Sequence, residues 1–158
     1  MCASRSSFSP KNALQAPLHE SRSACRASRK RAGKLANLEK AIGDDPLPAS
    51  TTGIGHTRWA THGAPTDRNA HPHPGQQGRV GVVHNGILEN FAALRAELEA
   101  AGVEMVSETD TEIAAHLLER EVGLGLDLST AMQRVCQRLE GAFTLVAVDA
   151  QDPDRVVA

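Results

Sequence analysis

Aromatic residues are scarce in this sequence: tyrosine is absent, and one tryptophan and three phenylalanines make up 3% of the chain. Residues 1–43 are basic, with nine Lys/Arg and two Asp/Glu, whereas residues 44–158 carry eight and seventeen. Proteins that bind nucleic acid commonly pair such basic segments with aromatic side chains on which bases stack. The basic arm has neither regularly spaced aromatics nor a helical apolar stripe before Leu35. We therefore expect no nucleic acid as a partner.

Cysteines and long apolar runs are also scarce. The three cysteines, Cys2, Cys25 and Cys136, are odd in number and lack the spacing of metal ligands. This pattern disfavours a disulfide framework and favours a reducing compartment, which we expect to be the cytoplasm. No run is long and apolar enough to span a bilayer, and no apolar segment of a secretory signal follows the N-terminus. We expect no membrane association.

Composition divides the chain into a tail and one domain. Residues 1–28 are rich in serine and arginine and lack apolar periodicity, a composition typical of a disordered tail and also of an organelle transit peptide. Residues 29–158 have the length and periodicity of about one domain. Within it, Leu35, Leu38 and Ile42 could form one face of a short helix.

Helical and strand-like patterns alternate through the domain, which predicts an α+β or layered α/β fold. Apolar spacing predicts helices over residues 88–101, 109–121 and 128–139. Short β-like runs predict strands at residues 52–57, 79–84, 103–106, 143–149 and 155–158. The pair Thr109 and Glu112 fits a capping box at the start of the second helix.

Most of the histidines, the only tryptophan and the only Asn-Gly pair lie between His56 and Gly86. Polar residues of this kind, placed around strand-like runs, are typical of a site for a small, charged, hydrogen-bonding molecule. The candidate members of this site are Arg58, Trp59, Thr61, His62, His71, His84 and Asn85.

Arg58 and Asp110 together suit an α-amino acid. The guanidinium offers a planar fork for a carboxylate, and the carboxylate of Asp110 can receive an ammonium group. The alternatives are a surface ion pair for Arg58 and helix capping for Asp110.

The pair Asn85-Gly86 has two interpretations. Asn-Gly is the strongest short turn signal, although a strand before it and a helix after it make a hairpin a poor fit. Alternatively, the Asn85 amide and the Gly86 N–H could converge on a developing oxyanion.

The histidines allow a metal site as a further hypothesis, with His71 and His73 as a ligand pair. No glutamate stands in an H-E-x-x-H arrangement and no cysteine lies nearby, so we expect no metal. The alternative for His56 and His84 is a hydrogen-bonded histidine near the sheet.

Cys2 would carry a thiol and a free α-amine on one residue if Met1 is removed. The amine could then take the thiol proton and activate the nucleophile. The alternative is that Cys2 is simply the second residue of a tail.

Four long motifs carry a family resemblance: GHTRWATHG, RNAHPH, VVHNGILEN and SETDTE. Together they resemble the glutaminase domain of the glutamine–fructose-6-phosphate aminotransferase family, over about residues 30–158. The resemblance implies a class II glutamine amidotransferase domain of the N-terminal-nucleophile hydrolase type. That fold is a four-layer αββα sandwich, here expected to lack its first strand and its C-terminal part. L-Glutamine is the implied substrate, and no cofactor is implied.

The resemblance also implies a role for each site residue. Cys2 matches the nucleophile, and Asn85 and Gly86 match the oxyanion hole. The remaining matches concern glutamine: Arg58 holds its α-carboxylate, Asp110 holds its α-ammonium, Thr61, His62 and His71 line the pocket, and Trp59 helps to gate the passage of ammonia.

The sequence departs from the family pattern near its start. The family's Met-Cys is followed by Gly-Ile-Val-Gly, whereas Cys2 is followed here by Ala-Ser-Arg-Ser, and a tyrosine-containing segment is missing. A shifted reading frame between Cys2 and Arg29 is one hypothesis for this difference. We expect little glutaminase activity from this chain, and a catalytically dead remnant that keeps part of the glutamine pocket is an alternative.

The family's two sugar-isomerase domains have no counterpart in this sequence. We therefore expect fructose 6-phosphate to be a partner only through those domains. The resemblance implies that full-length members form homo-oligomers.

Overall fold

The computed structural model describes residues 27–59 and 63–158, and these contain one antiparallel sheet and a set of helices. The strands follow the order β1-β2-β3-β4, and each pairs with its neighbour in an antiparallel register. The strands are β1 (His73–Pro74), β2 (Val80–Leu88), β3 (Gly141–Asp149) and β4 (Asp152–Val157). The helices are α1 (Leu35–Asp44), α2 (Phe91–Ala100), α3 (Asp110–Gly123) and α4 (Leu128–Cys136).

Strand β2 is the central element of the core. Its even-numbered apolar residues, Val80, Val82 and Leu88, are fully buried on the face that packs against α3. The opposite face also carries apolar side chains, including Val83 and the partly exposed Ile87. A strand with apolar residues on both faces is typical of a layered fold.

Helix α3 connects the sheet to the other helices, and eleven of its fourteen residues are buried. Its residue Glu119 also fixes the turn between β1 and β2, because its carboxylate accepts the N–H groups of Gln77 and Arg79, each at 2.6 Å. Beside this turn, the Arg79 guanidinium makes a two-pronged ion pair with Asp149, with distances of 2.8 and 2.7 Å. The β1–β2 connection is therefore held from both the helix and the sheet.

The predicted α+β class is confirmed, and so are the helices. Helix α2 ends with the C-cap Ala101, and the next residue, Gly102, adopts a positive φ of 83°. The strand predicted at residues 79–84 is longer than expected and continues to Leu88, so that Asn85-Gly86 lies inside it. The turn interpretation of this pair is therefore wrong. Of the expected two-sheet sandwich, the described residues contain one four-stranded sheet.

The strands predicted at residues 52–57 and 103–106 are wrong, because neither segment pairs with another strand in the described residues. The backbone groups near residues 103–106 find other partners. Val103 N donates to Leu98 O at the end of α2, and Val106 N donates to the Glu112 carboxylate. An extended segment becomes a strand only where a neighbouring strand can take its hydrogen bonds.

The predicted capping box is also wrong. Thr109 does precede α3, but its side chain caps none of the helix N–H groups. Glu112 instead accepts from Val106 N at 2.7 Å and from both the N–H and the hydroxyl of Ser107 at 2.6 Å. Burial acts to raise the pKa of Glu112, but the His116 ring and these hydrogen bonds outweigh it and lower that pKa to about 2. The Glu112 carboxylate therefore binds the loop before α3 and does not form a capping box.

Two further expectations concern the rest of the chain. Most of the tail predicted at residues 1–28 lies outside the described residues. Among the helices that are described, none is long and apolar enough to cross a membrane.

Candidate active site

A cavity of about 260 Å³ opens between the second half of β2, the first turn of α3 and the segment that contains Arg58. Such a volume suits a ligand smaller than a typical drug molecule. The cavity brings together residues that are far apart in the sequence and that belong to the sequence motifs. Its lining consists of Arg58, Trp59, His71, His84, Asn85, Gly86, Thr109, Asp110 and Thr111.

Gly86 occupies a position in β2 that only glycine fits. Its φ is +115°, and a Cβ atom there would lie 2.1 Å from the carbonyl oxygen of Ala142 and 2.7 Å from Phe143 Cα on the neighbouring strand. Both atoms belong to the backbone, so a side chain could not be accommodated by a rotamer change. This close approach allows β2 to stay paired with β3 while Asn85 and Gly86 line the cavity.

The pairing of β2 also determines where the Gly86 N–H points. The odd-numbered residues of β2 direct their backbone groups toward β3. The same alternation continues past the strand end, where Glu89 N donates to Glu140 O at 2.8 Å. Even-numbered N–H groups therefore face the other edge of the strand, where Leu88 N reaches Asp110 Oδ2 at 3.0 Å. The N–H of Gly86 faces this same edge, which is where the cavity lies.

Asp110 is the first residue of α3 and is only 3% exposed. One of its carboxylate oxygens receives the Leu88 N–H, and the other lies 3.6 Å from His84 Nδ1. His84 in turn contacts the Thr111 hydroxyl at 3.0 Å. Asp110 thus ties the start of α3 to β2 and places a carboxylate in the cavity wall.

Arg58 is held by the loop that follows it. Its two terminal nitrogens donate to Gly63 O and Ala64 O, each at 3.2 Å. Asn69 donates to the same Ala64 oxygen at 3.0 Å and exchanges hydrogen bonds with Glu108 just before α3. The motifs assign no role to Asn69, although it lies in RNAHPH and the residue is only 1% exposed.

Trp59 lies at the rim of the cavity with 89% of its surface exposed. Thr61, His62 and Cys2 lie outside the described residues. The expected roles of these three residues therefore stay predictions.

The histidines form a packed cluster beside the cavity. The ring of His71 lies edge-on to His56 at 4.4 Å and to His73 at 5.2 Å. Burial, followed by the nearby His73 and His56, lowers the pKa of His71 to about 3. Burial and then Lys30 lower the pKa of His73 to about 4. Within residues 27–59 and 63–158, no three His, Cys, Asp or Glu side chains are grouped in a way that could hold a metal ion.

His56 and His73 make specific polar contacts, as hydrogen-bonded histidines near a sheet would. His56 Nε2 lies 2.6 Å from Asn85 Oδ1 on β2. His73 Nε2 lies 3.1 Å from the hydroxyl of Thr109. The cluster thus joins the loop, the sheet and the start of α3.

Sequence comparison identifies the family. A family model described as a glutamine amidotransferase domain matches residues 56–158. The chain belongs to this family. The match begins at His56 and includes all the residues that line the cavity.

Curated relatives named glutamine–fructose-6-phosphate aminotransferase (isomerizing) support this assignment. The protein from Streptomyces coelicolor is 66% identical over 131 residues, which are 83% of this chain and 21% of that protein. The protein from Corynebacterium diphtheriae is 58% identical over 134 residues, which are 82% of this chain and 21% of that protein. The chain therefore spans about a fifth of the length of these relatives, and it belongs to a family of enzymes.

A solved structure supports the fold. Glutamine phosphoribosylpyrophosphate amidotransferase from B. subtilis matches with a TM-score of 0.50 and 28% identity, covering 60% of this chain and 20% of that chain. This likeness confirms the expected N-terminal-nucleophile hydrolase type of the domain.

Proposed function

We propose that this chain provides the glutamine-hydrolysing step of a glutamine–fructose-6-phosphate aminotransferase. The observation that carries the proposal is a single cavity lined by Arg58, Asp110 and the Asn85-Gly86 pair. L-Glutamine presents three polar groups: an α-carboxylate, an α-ammonium and a side-chain amide. The cavity offers a group of matching chemistry for each of them.

The α-amino acid end is recognised by charge. Arg58 is already anchored through its contacts to Gly63 O and Ala64 O, and its planar guanidinium suits the α-carboxylate. Asp110 supplies the negative charge for the α-ammonium. Because the Leu88 N–H fixes its carboxylate, little side-chain freedom is lost on binding.

The amide end is where the reaction takes place. In this proposal the Cys2 α-amine takes the proton of the Cys2 thiol, and the resulting thiolate attacks the carbon of the side-chain amide. The carbonyl oxygen becomes an oxyanion that receives hydrogen bonds from Asn85 Nδ2 and the Gly86 N–H. Proton transfer to the amide nitrogen lets ammonia leave, and a γ-glutamyl thioester of Cys2 remains. Water then attacks the thioester, releasing glutamate and restoring the thiol.

The proposed use of the ammonia is based on the reaction that the relatives' names state. We propose that it aminates fructose 6-phosphate to give glucosamine 6-phosphate, in a protein of the relatives' length that holds the sugar-phosphate site. We also propose a cytoplasmic location and a homo-oligomeric state for that protein. Size-exclusion chromatography with light scattering tests the oligomeric state.

Calorimetric titration with L-glutamine tests binding, with D-glutamine and succinamate as comparison ligands. We expect L-glutamine to bind more tightly than either, because only it places both charged groups and the amide correctly. Little glutamate release is expected from the chain as it stands. Release of glutamate and ammonia is therefore measured, with and without Asn85→Ala, in a version in which the family's first strand and tyrosine-containing segment are restored.

Each outcome of these measurements has a clear meaning. We expect Asn85→Ala to lower turnover by roughly a hundredfold while glutamine affinity changes little. The absence of any L-glutamine binding would overturn the proposal. Tight, stereospecific binding without glutamate release would instead identify a non-catalytic glutamine-binding domain.

A further inference from the structure

We infer that His56 is a positioning residue for the oxyanion hole, because its Nε2–H holds the Asn85 amide with Nδ2 turned toward the cavity. The contact between His56 Nε2 and Asn85 Oδ1 measures 2.6 Å. This inference deepens the proposed function and rests on it, since the orientation of the amide matters to the reaction only if Asn85 binds the oxyanion.

The direction of this hydrogen bond follows from the atoms involved. An amide oxygen can only accept, so His56 Nε2 must carry the hydrogen and donate. The other ring nitrogen, Nδ1, is buried and has no hydrogen-bond partner among the described residues. With the proton on Nε2, the buried Nδ1 atom carries only a lone pair. With the proton on Nδ1, the ring would bury an N–H donor that has no partner. Both observations favour the same tautomer.

The tautomer fixes the amide. If the amide of Asn85 were rotated by half a turn, its NH₂ group would face the His56 Nε2–H, and two donors would meet. The observed orientation leaves the Nδ2 donor on the side away from His56. An amide in the reversed orientation would present its oxygen to the cavity and repel a developing oxyanion. Preorganised donors are effective because they need no reorientation during the reaction.

Asn85 needs such a partner because it lies in the exposed part of β2, where packing alone does not restrain its side chain. The His56 ring is itself restrained by His71, which packs edge-on against it with ring centres 4.4 Å apart. Burial and the neighbouring rings lower the pKa of His71 to about 3, so this partner is neutral near pH 7 and adds no charge beside His56. The His71 ring thus supports the His56 ring, and the His56 ring holds the Asn85 amide.

Nitrogen NMR of the histidine rings tests the first step on the unmodified chain. We expect the His56 ring to carry its proton on Nε2 rather than on Nδ1. A His56 ring with its proton on Nδ1 would overturn the inference, whatever the chain's activity. This measurement needs no variant, so it does not depend on whether a substituted protein folds.

Side-chain relaxation of the Asn85 amide tests the second step, with His56→Phe and His56→Gln compared with the unchanged chain. His56→Phe keeps a planar ring but has no donor, and we expect the Asn85 NH₂ group to become more mobile. His56→Gln keeps a donor and should restore part of the order. An equally rigid Asn85 amide in His56→Phe would contradict the inference.

Kinetics test the link to the reaction. We expect His56→Phe to lower turnover by about tenfold, less than the loss of the donor itself, while glutamine affinity is unchanged. In an Asn85→Ala background, His56→Phe should have no further effect. Equal effects in both backgrounds would show that His56 acts independently of Asn85. These rates are measured in the version with the first strand and the tyrosine-containing segment restored. If that version releases no glutamate, the proposed function fails at that point, whereas the NMR results still test the positioning.

Discussion

Asp110 Oδ2 accepts the backbone N–H of Leu88 at 3.0 Å, so one carboxylate joins the start of α3 to the end of β2. The same carboxylate lines the cavity. Its structural and its binding role can be separated, because a backbone N–H needs only an acceptor whereas an ammonium group is attracted by the negative charge.

Asp110→Asn should keep the hydrogen bond and remove the charge. We expect glutamine affinity to fall by roughly tenfold or more, with a small change in melting temperature. Asp110→Ala leaves the buried Leu88 N–H without its acceptor and should in addition cost about 1–3 kcal/mol of stability. Calorimetric titration and thermal unfolding provide the two readouts. Unchanged affinity in Asp110→Asn would remove Asp110 from the glutamine site.

Arg58→Lys should weaken glutamine binding although the positive charge is kept. Lysine cannot reproduce the planar fork, and it cannot donate to Gly63 O, Ala64 O and a carboxylate in the same geometry. We expect a loss of roughly tenfold in affinity, measured by calorimetric titration. Arg134→Lys is the matched control, because Arg134 lies on the exposed face of α4 in an ion pair with Glu121. Similar affinities for both variants would argue against contact between Arg58 and the ligand.

Gly86→Ala should destabilise the sheet as well as the site. The new Cβ would meet the Ala142 carbonyl oxygen at 2.1 Å, and the φ of +115° alone costs about 1–3 kcal/mol for a residue with a side chain. Gly123→Ala is the control, because a Cβ there meets nothing within 4 Å and the residue ends a helix. We expect chemical denaturation to show a large loss for Gly86→Ala and a neutral or slightly stabilising effect for Gly123→Ala. A small loss in Gly86→Ala would mean that β2 can move away from β3 at this point.

The histidine cluster should make stability depend on pH. Unfolded histidine binds its proton near pH 6.5, whereas burial and neighbouring groups lower the pKa of folded His71 to about 3 and of folded His73 to about 4. Between these values the unfolded chain holds more protons than the folded one. The free energy of unfolding should therefore fall as the pH is lowered from about 6.5 toward 4, by up to about 1.4 kcal/mol per pH unit for each histidine.

NMR titration of the histidine Cε1–H signals checks this directly, with assignment from His71→Asn and His73→Asn. We expect neither ring to titrate above pH 5. Denaturation at several pH values should give a shallower pH dependence in each variant. Titration of His71 near pH 6.5 would show that the cluster is open to water.

The local pattern of the sequence was sufficient for most of the helices and for the main strands. The apolar spacing in α2, α3 and α4 and the run of β-branched residues in β2 and β3 act over a few neighbouring residues, so they can be read directly. Elements that depend on a distant partner could not be read in this way. Residues 52–57 have strand-like composition but no strand beside them in the described part of the chain.

The same division holds for the candidate site. The motifs named Arg58, Trp59, His71, Asn85, Gly86 and Asp110, and all six line one cavity. The roles of their neighbours depended on contacts across the fold. Asn69 reaches Glu108 across 39 residues, and His56 reaches Asn85 across 29. No local pattern reports such pairs.

The sequence by itself determined which residue types are available for chemistry and where helices and the central strands form, because both follow from side chains and their immediate neighbours. Only the tertiary structure decided which acceptor each donor would take. Glu112 serves the loop at Ser107 instead of a capping box, and Asn85-Gly86 lies inside β2 instead of in a turn. In both cases buried backbone groups of another segment need hydrogen-bond partners. That need outweighs the preference of the local sequence for a capping box or a turn.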